Sequence, residues 1–173
     1  MKTFQAITCV LFVLLLATGL FGQSTSPKET VAAFYKDNFN SQTFNRRWIN
    51  SRKKWLSPRF YNIFLEELRE EQAHLKLHPT DKPYFGDGIS FAPRQESCTT
   101  GRAVFRKYAI QTPVMRGNAR AEVPVRFFYP KPCTMDAITY KVKLIKIGRA
   151  WIIDDLLYGD GSSLGADMKE HQY

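Results

Sequence analysis

The sequence predicts an α+β domain in which N-terminal helices pack into a strongly curved antiparallel sheet of about four strands. Three observations predict it. Capped segments with apolar residues at helical spacing are confined to the first half of the chain. Alternating apolar and polar stretches separated by turn signals fill the second half. The last of them, Arg149 to Tyr158, is dominated by β-branched, aromatic and Leu residues and is closed by Gly159-Asp160-Gly161. It reads as a strand buried on both faces, with Trp151, Ile153 and Leu157 on one side and Ile152, Leu156 and Tyr158 on the other.

The chain begins with Met1-Lys2, an apolar run from Ala6 to Leu16, and small residues around Ala17, Thr18, Gly19 and Gly22. The run is too short to cross about 30 Å of hydrocarbon. It reads as a secretory signal peptide over residues 1–22, cleaved after Gly22, with an uncleaved anchor as the alternative. Residues 23–173 then form a single domain, long enough to bury a core of its own. The expected location is periplasmic or extracellular.

Formal net charge is +9, and removing the leader takes away one cation, Lys2, and no carboxylate. Such a charge favours acidic surfaces, whether anionic lipids, polysaccharides or nucleic acid, without choosing among them. Export also leaves two cysteines, Cys98 and Cys133, in an oxidising compartment. Their natural reading is a Cys98–Cys133 disulfide, which would stabilise the fold by about 4 kcal/mol in the chain-entropy model. Two free thiols are the alternative. Neither cysteine has a second Cys or a His nearby to complete a tetrahedral site, so no metal site is expected.

Ser26-Pro27-Lys28-Glu29 is a capping box with Pro at the first helical position, and Val31, Phe34 and Tyr35 continue at helical spacing to about Asn38. A second, shorter helical stretch runs from Thr43 to Trp55. Ser57-Pro58 starts a third, whose apolar stripe is Tyr61, Phe64, Leu65, Leu68 and Leu75, with Glu66, Glu67, Arg69, Glu70 and Glu71 on the wet side. His78-Pro79 ends it. Arg46, Arg47, Arg52, Lys53 and Lys54 interleave with Trp48 and Trp55, a combination that can hold a nucleic-acid strand by phosphate contact and stacking. A helix needs a solvated face and its aromatics need a core, so an anionic membrane or glycan surface is the better use of these cations.

Residues 77–101 read as irregular, with Pro79, Pro83, Gly86, Gly88 and Pro93 among Tyr84, Phe85 and Phe91. Arg102 to Thr112 reads as a strand, and Arg116-Gly117-Asn118 as the turn after it. Ala121, Val123, Val125, Phe127 and Tyr129 alternate with polar residues, a strand with one wet face in which Pro124 suits an edge or a bulge. Tyr140, Val142 and Leu144 alternate with Lys141 and Lys143. The pattern slips at Ile145-Lys146-Ile147, which suggests a bulge before the two-residue turn Gly148-Arg149. Gly165 to Tyr173 reads as a polar, frayed tail.

This order of elements and the closing Trp151-Ile152-Ile153-Asp154-Asp155-Leu156-Leu157-Tyr158, with Gly161 behind it, resembles the nuclear transport factor 2-like (cystatin-like cone) superfamily. Within it the chain is most similar to a group of small exported bacterial proteins of unknown function that end in a Trp-x-Ile-Asp-Asp strand. The resemblance covers Pro27 to about Met168. It implies a cone, with long helices packed into a bent sheet and a pocket at the open end. It does not imply a function, because the superfamily houses isomerases, dehydratases, transport factors, immunity proteins and binding domains.

No Ser-His-Asp order, phosphate-binding glycine loop or His-rich metal spacing is present. His74, His78 and His171 fall at a helix end, in a loop and in the tail. No catalytic residue and no cofactor are therefore assigned. Asp155 shares a face with Trp151 and Ile153, and Tyr108, Tyr129 and Tyr140 are its candidate hydrogen-bond partners. The alternative for Asp154 and Asp155 is to cap the sheet edge or pair with a cation. The expected function is an exported non-catalytic module that binds a small apolar ligand or a protein through the cone mouth, lined by Tyr35, Tyr61, Phe64, Tyr108, Tyr129, Tyr140 and Asp155. A pocket enzyme doing proton transfer is one alternative. An inhibitor or immunity-type protein masking an acidic partner is the other. Oligomeric state stays open, a homodimer included.

Overall fold

The computed structural model describes residues 26–39, 44–85, 89, 91–93, 95–98, 101–105 and 107–170. The expected signal peptide over 1–22 lies outside them. Four helices are present among these residues: α1 (Pro27–Asn38), α2 (Arg46–Arg52), α3 (Pro58–Leu77) and α4 (Leu164–Glu170). They accompany seven strands, β1 (Gln95–Cys98), β2 (Gly101–Val104), β3 (Lys107–Ile110), β4 (Val114–Met115), β5 (Arg120–Phe128), β6 (Ile138–Ile147) and β7 (Ala150–Leu157). Strands β1 and β2 pair with each other; the other five form one antiparallel sheet, ordered β3-β5-β6-β7 with β4 also on β5. The architecture is α+β, with three helices before the sheet and α4 after it. No described helix is long and apolar enough to cross a membrane.

Local chemistry sets the helix starts. Ser26 accepts the Glu29 N–H at 3.2 Å, Asn45 accepts the Trp48 N–H at 2.9 Å, and Ser57 accepts the Phe60 N–H at 3.0 Å. Pro27 and Pro58 occupy first-turn positions where a missing N–H costs nothing. Helix α2 is shorter than the stretch from Thr43 to Trp55: it starts at the Asn45 cap and gives way to turn before Trp55.

Helix α3 corrects the sequence reading in one respect. Its buried face holds Phe60, Ile63, Phe64 and Leu68 together with two carboxylates assigned to the wet side, Glu67 at 1 % exposed and Glu71 at 7 %. A stripe drawn through Tyr61, Leu65 and Leu75 is rotated from the true one, and all three are only half-buried.

Irregular residues 77–101 contain a strand after all, since Gln95–Cys98 pairs with Gly101–Val104. The single strand expected over Arg102 to Thr112 is split between β2 and β3 at Phe105, which is buried in the core. A large apolar side chain drawn inward ends the extended run, and β3 resumes on β5. Pro124 lies inside the central strand β5, where the pairing partner changes from β3, ending at Ile110↔Val125, to β4, starting at Val114↔Glu122. Its carbonyl accepts from the Gln111 N–H at 2.9 Å, so its missing donor faces that gap and no ladder bond is lost.

In β5 and β6 the alternation is regular, and Ala121, Val123, Val125, Phe127, Val142 and Leu144 face the helices. The Gly148-Arg149 turn joins β6 to β7 through the pair Ile147↔Ala150, with Gly148 at φ 61°. The expected bulge at Ile145-Lys146-Ile147 is absent. The irregularity comes earlier, where Lys143 pairs with Asp155 and Leu144 with Ile153, leaving Asp154 as the extra residue. That residue reverses the parity of β7. Leu156, not Leu157, follows Trp151 and Ile153 into the core, opposite Val142. Leu157 and Ile152 stay half-buried, so the strand is wet on one side rather than buried on both.

The bulge has a cause from outside the strand. Ser57 N–H donates to the Ile153 carbonyl at 2.7 Å and Ile153 N–H to the Trp55 carbonyl at 2.8 Å, giving a parallel bridge between Leu56 and Ile153. Arg59 holds the Asp154 carboxylate at 3.0 Å. The free edge of the last strand is thereby covered by the connection from α2 to α3. Beyond the strand, the expected frayed tail is helix α4, anchored by buried Leu164 and Met168.

Candidate functional site

The register of the sheet assembles a row of aromatic rings on its helix-covered face. Tyr108 of β3 stands opposite Phe127 of β5, and Val125 stands opposite Tyr140 of β6. Tyr158 continues the face of Leu156 just past β7. Helix α1 lays Tyr35 over them, fully buried. Ring centroids are 5.4 Å apart for Tyr108 and Tyr35, 5.9 Å for Tyr35 and Phe127, 5.2 Å for Phe127 and Tyr140, and 5.2 Å for Tyr140 and Tyr158. Phe39 extends the row beyond Tyr108 at 4.8 Å. Tyr140 and the middle of the row are buried, while Phe39, Tyr108 and Tyr158 at its ends are half-buried.

Three hydroxyls of the row, those of Tyr35, Tyr108 and Tyr158, are held protonated. Burial raises Tyr35 well above the ordinary tyrosine value, and Tyr140, Tyr108 and Tyr158 add to the shift. Burial likewise raises Tyr108. It raises Tyr158 too, with contributions from Tyr140, Asp167, Tyr84 and Asp155 in that order. Neutral phenols in this setting donate hydrogen bonds and do not serve as bases. Tyr35 already donates, to the Phe91 carbonyl at 2.6 Å.

Asp155 is near this row but occupied. It is 8 % exposed, and its register partner Lys143 lies between the inward-facing Val142 and Leu144, so it does not share the face of Trp151 and Ile153. One carboxylate oxygen accepts the N–H groups of Leu156 at 2.8 Å and Gly165 at 3.1 Å; the other accepts the Ser163 hydroxyl at 2.7 Å. The Ser163 and Gly165 donors fasten the start of α4 to the end of β7, and the Leu156 N–H holds the carboxylate in place. A carboxylate so engaged is a structural clamp rather than a free proton acceptor.

The remaining expected site residues fall elsewhere. Phe64 is in the core against Phe60, Trp48 and Phe91. Tyr129 packs on Phe105, centroids 4.7 Å apart. Tyr61 donates to Asn50 at 2.8 Å and borders a shallow depression of about 270 Å³ with Lys53, Leu56, Pro58 and Asn62. The basic stretch folds onto its own aromatics: Arg52 lies over Trp48, Lys53 over Tyr61, and Lys54 over Trp55 at 3.8 Å. Arg46 and Arg47 remain exposed. Cys133 is disulfide-bonded, and the side chain of Cys98 lies outside the described residues.

Sequence reasoning therefore finds three members of the row, Tyr35, Tyr108 and Tyr140, and misses Phe39, Phe127 and Tyr158. Tyr158 was legible as the next residue on the face of Leu156. Among the described residues, no group of three or more His, Cys, Asp or Glu side chains is arranged to hold a metal ion. Comparison with protein-family models, curated proteins and solved structures finds no match to this chain.

Proposed function

We propose that this protein is an exported, non-catalytic binding module that takes a small, flat, apolar molecule carrying a hydrogen-bond acceptor. One observation carries the reading: an unbroken row of rings from Phe39 to Tyr158 whose two ends reach solvent and whose Tyr108 and Tyr158 phenols stay protonated. Ring faces supply apolar and stacking contact, and the Tyr108 and Tyr158 hydroxyls supply the polar groups that fix orientation. The same reading makes the sheet the wall of a cone with the row at its mouth, as in nuclear transport factor 2-like domains, after removal of a leader over 1–22. A Cys98–Cys133 bridge would fasten the β1–β2 pair to the connection between β5 and β6.

Native mass spectrometry of the protein recovered from an exporting host tests this reading. A small molecule that leaves on denaturation, and is lost from a Tyr108→Ala/Tyr158→Ala variant that still melts cooperatively, supports it. A bare mass, together with no quenching of protein fluorescence by planar aromatic ketones, overturns it. A mass two hydrogens below that of the reduced chain reports the disulfide.

A further inference from the structure

The sheet face turned away from the helices carries a second feature, independent of the tyrosine row. The alternation that sends Val123, Val125 and Phe127 into the core sends Arg120, Glu122, Arg126 and Phe128 outward. Across the sheet, Lys143 stands opposite Glu122, Lys141 opposite Pro124, and Lys107 opposite Phe128. Two carboxylates stand in register with this array: Glu122 is met by Arg116 at 3.1 Å, and Asp155, opposite Lys143, is taken up by Leu156, Ser163 and Gly165. Among the described residues, no carboxylate forms an ion pair with Lys107, Arg120, Arg126, Lys141 or Lys143.

Neighbouring strands are about 4.8 Å apart and alternate residues about 6.8 Å apart, so these cations form a patch in two dimensions rather than a line. Their spacing is within the screening length of about 8 Å at physiological salt, and they repel one another. A surface of opposite sign relieves that repulsion. The patch is also bracketed by outward apolar side chains: Phe128, 38 % exposed, at one end of β5, and Ile147, 47 % exposed, at the opposite end of the sheet on β6. A single polyanionic strand matches a row of cations; a nucleic acid could stack a base on Phe128 but has no use for the aliphatic Ile147. A bilayer offers anionic headgroups over an area and an apolar layer beneath them.

We infer that this outer sheet face docks the protein on an anionic lipid surface. Lys107, Arg120, Arg126, Lys141 and Lys143 meet the headgroups, and Phe128 and Ile147 reach toward the acyl boundary. The expected patch on α2 is the weaker candidate, because Arg52, Lys53 and Lys54 all lie over rings of their own segment, whereas among the described residues Arg126 is the one cation of the sheet-face set that does, over Phe128.

Vesicle co-sedimentation of the purified protein tests the inference, with phosphatidylcholine alone and with phosphatidylglycerol added. Binding is expected only to the anionic vesicles and is expected to weaken with salt. Arg126→Glu/Lys141→Glu should lower it by about tenfold or more, Phe128→Ser should lower it at high salt, and Arg46→Glu/Arg47→Glu should leave it unchanged. Thermal melts of each variant separate lost docking from lost folding, and the salt dependence of the unmodified protein stands if a variant fails to fold. Equal binding to neutral vesicles, no binding at low salt, or loss through the α2 variant alone overturns the inference. So does retention on a sulfated polysaccharide with anionic vesicles inert.

Discussion

Ser57 and Asp154, 97 residues apart, share a hydrogen bond in which the serine hydroxyl donates to the carboxylate while accepting the Phe60 N–H. One oxygen caps the longest helix and ties it to the bulge of the last strand. Ser57→Ala removes both bonds from a fully buried position. We expect a loss of about 1–2 kcal/mol, read as a lower midpoint in urea unfolding, with Ser57→Thr retaining part of it. A midpoint unchanged from the parent would show that the cap is dispensable.

Asp155→Ala leaves the Leu156 and Gly165 N–H groups and the Ser163 hydroxyl without their acceptor. A loss of about 2–3 kcal/mol is expected, together with faster amide exchange over Leu164–Glu170. Loss of stability with unchanged exchange in that helix would separate the carboxylate from the docking of α4.

Gly165→Ala ordinarily gains helix propensity, about 1 kcal/mol. Here the new methyl would stand 3.1 Å from an Asp155 oxygen and 3.5 Å from the Phe60 ring. The carboxylate is held by three donors and cannot retreat, so the substitution is expected to destabilise by about 1–2 kcal/mol. Thermal melting decides the sign. An Asp155→Asn background should not relieve the clash.

Tyr35, Tyr108 and Tyr158 have raised folded-state pKa values against an ordinary tyrosine value of 10.0. The unfolded chain therefore loses these protons first as pH rises, and stability held below pH 10 falls above it. Absorbance at the tyrosinate band should show Tyr35 and Tyr158 ionising only as the protein unfolds, and Tyr108 ionising later than a free tyrosine. Tyr35→Phe removes one such group along with its bond to the Phe91 carbonyl. It should flatten the alkaline decline while lowering stability at neutral pH.

Local chemistry was legible in the sequence and long-range chemistry was not. The starts of α1 and α3 follow from Ser-Pro pairs, and the wet and dry faces of β5 and β6 follow from strict alternation, because each signal is complete within a few residues. The parity of β7 was misread because Ile153 is bonded by Trp55 and Ser57 and Asp154 by Ser57 and Arg59, partners that alternation within the strand cannot reveal. Glu67 and Glu71 looked solvated for the same reason: charge suggested a wet face, whereas neighbours from other segments cover them. Of the ring row, Tyr35, Tyr108 and Tyr140 were legible, on α1 and on regular strands. Tyr61 was grouped with them because the stripe on α3 was drawn rotated from the true one, whereas Phe64 is on the true buried face and packs into the core away from the row.

The bridge between Leu56 and Ile153 also dictates an order of assembly. Ser57 has no carbonyl to bond until Ile153 exists, so a chain growing from its N-terminus cannot seat α3 until its final strand is made. Helix α3 comes early in sequence and is fixed late in space. Fragments that stop before Ala150 should therefore be helical but molten, and folding should be slow for the length of the chain, limited by the closing of this long loop.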